Sequence, residues 1–185
     1  GASSATFHDL ARGESAFFEG EVTKELSETV FREVFPALAK AIYSAQPDTS
    51  VETVRDNTLI VLYRLLFVLY AEDRNLLPMR KGEYRLHSLR ETVRLPVNET
   101  ISAGRTLPTV GSAYWSAART IFRMVDKGEA ELGLPPYNGG LFAQTAHSLL
   151  NTIEISDKDF APVIDALSFA EIDGERRYVN YRNLS

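Results

Sequence analysis

Two stretches of this chain hold side chains whose types and spacing can do chemistry. Arg74, Arg80, Lys81, Arg85, Arg90, Arg94 and Arg105 crowd one segment, against only Glu83, Glu91 and Glu99. Cations at that density can meet phosphate oxygens, a contact that supplies affinity without reading base sequence. Arg80, Lys81, Arg85, Arg90, Arg94 and Arg105 are therefore candidate phosphate contacts. The plainer alternative is a basic helix paired with the acidic ends of the same chain. The second stretch is Leu134-Pro135-Pro136-Tyr137-Asn138-Gly139-Gly140-Leu141-Phe142. Gly139-Gly140 permits positive φ and close backbone approach. The loop then reads as a tight turn that docks Leu141 and Phe142 into the core, with Tyr137 sealing the edge.

Several other chemistries lack their residues. A metal-dependent nuclease core needs Asp/Glu-x-Lys to hold Mg2+ and place a lysine near the attacking water. The lysines here are preceded at two positions by Val22, Leu38, Met79, Val125 and Ser156, so the pattern does not occur. No two glycines stand two apart, as a glycine-rich phosphate or nucleoside loop requires. With no cysteine, disulfides, thiolate metal sites and cysteine nucleophiles are excluded. His8, His87 and His147 are scattered rather than set at a metal-pair spacing, and read as surface or satisfied core groups. The carboxylates of 14–33 read as a solvated helix face. No cofactor or metal site is expected in this chain.

The elements that must position these residues are mostly helices. Phe17, Phe18, Val22, Leu26, Val30, Val34, Leu38 and Ile42 recur at helical steps over 14–45, with Pro36 as a break, a kink or the first turn of a second helix. Residues 51–73 form a helix that is apolar almost all round after Leu59, which places it at the centre of a bundle. Arg64 inside it is expected to be a paired structural arginine. Leu76-Leu77-Pro78 closes this helix. Residues 83–94 suggest a short basic helix displaying Arg85, Arg90 and Arg94, and 95–109, with Pro96, Gly104 and Pro108, a long surface loop. An amphipathic helix follows over 110–127 with Gly128 as its stop. Two shorter helices are expected at 141–151 and 156–167, the second opened by Ser156 with Asp159 three residues on. Asp173-Gly174 between two short strand-like runs signals a hairpin. The fold class is mainly α, a multi-helix bundle with a short β-hairpin near the C-terminus.

One core suffices for 185 residues, and the composition, 44% apolar and 24% charged, is that of a folded globular domain. The whole of 1–185 reads as a single helical domain excised from a larger chain, with 1–13 poorly ordered. The net charge of −5 is unevenly distributed. Six Lys/Arg face twelve Asp/Glu over 1–73, seven face three over 74–106, and seven face ten over 107–185. A basic middle thus lies between acidic ends. The run from Leu59 to Ala71 is too short, and with Arg64 too charged, to span a membrane, so no membrane association is expected.

Tyr63-Arg64-Leu65-Leu66-Phe67-Val68-Leu69-Tyr70-Ala71-Glu72-Asp73-Arg74-Asn75-Leu76-Leu77-Pro78 resembles a segment ahead of the methyltransferase core in large fused restriction-modification enzymes, the type IIG enzymes and phage-exclusion adenine methyltransferases. Tyr137-Asn138-Gly139-Gly140-Leu141-Phe142 is similar to a second segment of that family, and Tyr178-Val179-Asn180-Tyr181-Arg182-Asn183-Leu184 to a third. Leu134-Pro135-Pro136-Tyr137 also looks like the adenine-N6 methyltransferase tetrapeptide Asn/Asp-Pro-Pro-Tyr with its first residue lost. The resemblance spans about 50–185. It implies a non-catalytic, cytoplasmic connector between a nuclease and a methyltransferase module, its partners within the same protein. S-adenosylmethionine and Mg2+ would belong to the parent enzyme. Tyr70, Glu72, Asp73, Arg74, Tyr137, Asn138, Gly139, Gly140 and Phe142 are family residues with a structural role, and duplex DNA is a candidate partner. The alternative is a protein-interaction module docking a partner subunit through 95–109 or the hairpin end.

Overall fold

Helix α2, Val51–Asp73, is the longest element described in the computed structural model, which covers residues 28–80, 82–137 and 139–183. Ser50 opens it in extended conformation, its hydroxyl accepting from the Thr53 N–H at 3.2 Å. From Leu65 to Glu72 every residue is buried, which is why this segment has no polar face. Helix α1, Phe35–Ala45, packs along α2 and also meets α6, Asp157–Ser168. Helix α5, Ala113–Lys127, lies against α6 with Trp115, Ala118, Ile121, Phe122 and Val125 inward, the face its periodicity predicts. Gly128 ends it at φ +74, where an added Cβ would stand 2.7 Å from Pro136 N, so only glycine fits. Ser156 caps α6 by accepting from the Asp159 N–H, as expected.

Pro36 and Pro96, unlike Pro162 within α6, share one solution to a proline in helical sequence. A wide π-helical turn, Val30–Val34, runs directly into α1, and another, Arg90–Arg94, runs into α4, Leu95–Ser102. Phe35 N–H donates to the carbonyl of Val30, and Leu95 N–H to that of Arg90, each reaching back five residues. Proline in a regular helix presses its ring on the carbonyl four residues back, and the wider turn makes room for it. Pro36 and Pro96 then sit in the first turn of the helix that follows. Residues 95–102 are therefore helical, which corrects the long surface loop expected for 95–109. The part of the first expected helix before residue 28 lies outside the described residues, as do the expected acidic face before that point and the disorder of 1–13.

Two further expectations are corrected. Residues 141–151 form turns rather than a helix, with one 3-10 turn at Ser148–Asn151. Arg64 accounts for this, because its Nε donates to the Leu141 carbonyl at 2.8 Å and its Nη2 to the Ala143 carbonyl at 3.3 Å. Those carbonyls face a side chain from α2 instead of the next helical turn. The basic helix of 83–94 divides into α3, Glu83–His87, and the π turn, with Ser88 extended between them. The chain ends in β1, Phe169–Ile172, and β2, Glu175–Tyr178, paired antiparallel with Phe169 opposite Tyr178. Asp173 and Gly174 turn between them at φ 53 and φ 79, the geometry Asp-Gly favours in a two-residue hairpin.

Candidate functional site

The C-terminal end of α2 places Glu72 and Asp73 at the meeting point of four segments. Asn75 adopts φ 57, and the N–H groups of Leu76 and Asn75 donate back to the carbonyls of Ala71 and Glu72. This paired closure ends the helix sharply with asparagine in the left-handed position that glycine usually takes. Glu72 is fully buried and accepts from the Tyr84 hydroxyl at 2.8 Å and from the N–H groups of Leu89 at 2.7 Å and Arg90 at 3.0 Å. Its carboxylate thus caps the helical segment that carries Arg90 and Arg94. Burial raises the Glu72 carboxyl above its usual range, opposed by the Leu89, Tyr84 and Arg90 hydrogen bonds and by the charge of Arg94.

Asp73 faces the other way. One oxygen accepts from Arg94 Nη1 at 3.3 Å and from the Tyr178 hydroxyl at 3.4 Å; the other accepts from the Tyr181 N–H at 2.9 Å. Arg94 also donates to Ser168 Oγ and to the Val179 carbonyl, each at 3.0 Å, and its guanidinium lies 4.0 Å from the centre of the Tyr178 ring. Tyr181 completes the knot by donating to the Leu167 carbonyl at 2.7 Å. Burial pushes the Tyr178 hydroxyl up to about 12, and raises those of Tyr84 and Tyr181 as well.

Beside this knot an open cleft of about 580 Å³ is lined by Arg80, Arg90, Arg182, Asn75, Asn180 and Tyr178, with Asp73 and Leu95 completing the wall. Of the candidate phosphate contacts, Arg80 and Arg90 reach the cleft, whereas Arg85 and Arg105 are exposed and do not line it. Lys81 lies outside the described residues. Arg94 is buried completely, which corrects its expected display to solvent: it is held by Asp73, Ser168 and Val179. Arg74 is exposed, 5.1 Å from the centre of the Tyr70 ring. Sequence reasoning missed Arg182, because the acidic balance of 107–185 hides one cation that the fold carries back to Arg80 and Arg90.

The Pro-Pro-Tyr loop is built differently. Leu134 is buried and exchanges two backbone hydrogen bonds with Glu129, while Tyr137 N–H donates to the Val125 carbonyl at 3.0 Å. Tyr137 and Phe142 are buried and meet Phe67 edge-on, with ring centres 5.3 and 5.2 Å away. Gly140 turns the chain at φ 89, and Gly139 beside it is exposed. Asn138 lies outside the described residues. Arg64 stands over Phe122 and Phe142, and burial pushes its guanidinium down to about 10 against a favourable charge on Asp126. The half-buried His147 imidazole is lowered by burial and by Arg64. Among the described residues no group of three or more His, Asp and Glu side chains is placed to hold a metal, and no helix is long and apolar enough to cross a membrane. No protein-family model, curated protein or solved structure matches the chain.

Proposed function

We propose that this chain is a non-catalytic helical spacer of a cytoplasmic DNA restriction-modification methyltransferase, holding the catalytic modules of the same protein at a set distance and touching DNA phosphates. The observation that carries the reading is that the second and third segments of the resemblance both pack on the first. Phe67 of the first touches Tyr137 and Phe142 of the second. Asp73 of the first binds Tyr178 and Tyr181 of the third. A spacer needs such closure, because close-packed interiors transmit orientation with little give. The Asp73 and Arg94 contacts fix the direction in which the chain leaves β2. S-adenosylmethionine and Mg2+ would be held by the flanking modules, since neither Gly-x-Gly nor Asp/Glu-x-Lys occurs in this chain.

Methyl transfer to duplex DNA by the full-length protein tests the reading. Asp73→Asn keeps an acceptor for Arg94 and the Tyr181 N–H while removing the charge. In protein that still melts cooperatively it is expected to reduce the turnover of methyl transfer while leaving S-adenosylmethionine affinity unchanged, because it loosens the knot that sets the exit of the chain. A full-length protein that transfers no methyl group to any duplex would overturn the assignment.

A further inference from the structure

We propose that the cleft beside the end of α2 is a phosphate site, taking one phosphodiester of a DNA strand on Arg80, Arg90 and Arg182. Its choice of DNA as the source of that phosphate rests on the function proposed above. The cleft itself stands on its own geometry. Arg80, Arg90 and Arg182 pair with no carboxylate among the described residues; the same holds for Arg32, Arg64, Arg74, Arg85, Arg105 and Arg123, but of these arginines only Arg80, Arg90 and Arg182 line the cleft together. Three guanidinium groups that line one cavity repel one another unless an anion joins them.

Arg90 is the best placed of the three. Its backbone N–H is fixed on Glu72, and its Nε is buried with no hydrogen-bond partner, one of two such side-chain atoms among the described residues. An unpaired buried donor is costly, and an anion held on the cleft side by the outer nitrogens of Arg90 offsets that cost through its charge. Asp73 does not compete for this role. Its side chain is 4% exposed and already binds Arg94, Tyr178 and Tyr181, so it offers the cleft little free charge.

The remaining wall suits a tetrahedral oxyanion. Asn180 Oδ1 accepts from the Arg182 N–H at 2.9 Å, which fixes the turn carrying Arg182 and leaves the amide donors of Asn180 without a partner among the described residues. Asn75 adds a second amide at the rim and Tyr178 a hydroxyl. Guanidinium forks match phosphate oxygens in pairs, and about 580 Å³ has room for one nucleotide unit.

Fluorescence anisotropy of a short labelled DNA duplex with the full chain, over a range of salt, tests the site. Arg80→Gln with Arg182→Gln changes two exposed side chains and should leave the melting temperature intact. That double variant is expected to bind about 10-fold more weakly at low salt, with the salt slope reduced by about one. Adding Arg90→Gln should weaken binding further, and Arg105→Gln, away from the cleft, should leave the slope unaltered. Double and triple variants that bind duplex like wild type would overturn the cleft while sparing DNA contact elsewhere. If the wild-type chain binds no duplex, but inorganic phosphate raises its melting temperature and not that of the double variant, DNA is overturned as the source and the phosphate site stands. Failure of both probes removes the site. Methyl transfer by the full-length protein is read separately, so none of these outcomes is confused with failure of the spacer assignment.

Discussion

Helix α2 buries an arginine contact at each of two places, and the two are satisfied in opposite ways. Arg94 comes to the end of α2 from the π turn and meets a carboxylate, Asp73, together with Ser168, a carbonyl and the Tyr178 ring. Arg64 leaves the middle of α2 and among the described residues meets the carbonyls of Leu141 and Ala143 and the rings of Phe122 and Phe142, with no carboxylate in contact and the charge of Asp126 at a distance. The first arrangement joins distant segments by charge. The second shapes a loop by taking its backbone acceptors. A buried cation can therefore serve as a tie or as a mould, and its partners decide which.

Removing the two arginines should separate these roles. Arg94→Met is expected to destabilise the fold by about 3–5 kcal/mol, because it leaves Asp73 buried without its counter-charge. Urea unfolding checks this, and a loss below about 1 kcal/mol would show that the tie carries little of the stability. Arg64→Met leaves only neutral carbonyls unpaired, so a smaller loss of about 1–2 kcal/mol is expected in the same measurement. Equal losses would erase the distinction.

The smallest expected effect is a contrast in alkaline behaviour. Tyr178 is raised by burial from 10.0 to about 12, and Tyr84 and Tyr181 are raised too, so folded protein keeps protons that the unfolded chain releases. The Tyr178 contribution is complete below pH 10 and is lost as pH climbs toward 12, and those of Tyr84 and Tyr181 change in the same direction. Arg64 is lowered from 12.5 to about 10, so over that interval it releases its proton in the folded state first and its contribution rises with pH. Urea midpoints measured from pH 9 to about 12 should therefore fall less steeply in Tyr178→Phe and more steeply in Arg64→Met. Parallel curves for the two variants would count against opposite signs at the two places.

The elements with strong local signals are legible without the structure. The inward face of α5, the cap at Ser156, the Asp-Gly hairpin and the burial of α2 after Leu59 follow from periodicity and turn chemistry alone. Pro36 and Pro96 are less legible because proline marks a helix break locally, while the π turn that admits it depends on the backbone before it. The turns after Leu141 are illegible for a different reason. Their cause, Arg64, lies 77 residues earlier.

The candidate site divides along the same line. Arg90 and Arg94 are the same residue type four positions apart, and no count of charge distinguishes them. One lines the cleft and the other is sealed beneath Tyr178, because the turn that carries them faces solvent on one side and Ser168 on the other. Glu72 and Asp73 are likewise adjacent yet serve different segments. Sequence alone determined the helical class, the burial of the last turns of α2 and the hairpin at the end, since each rests on interactions within a few residues or on apolar patterning. It did not determine that α6 rather than α2 meets most of the other elements. Only the tertiary structure decided which arginine is a tie, which is a mould and which line the cleft, because burial and pairing are set by residues distant in sequence.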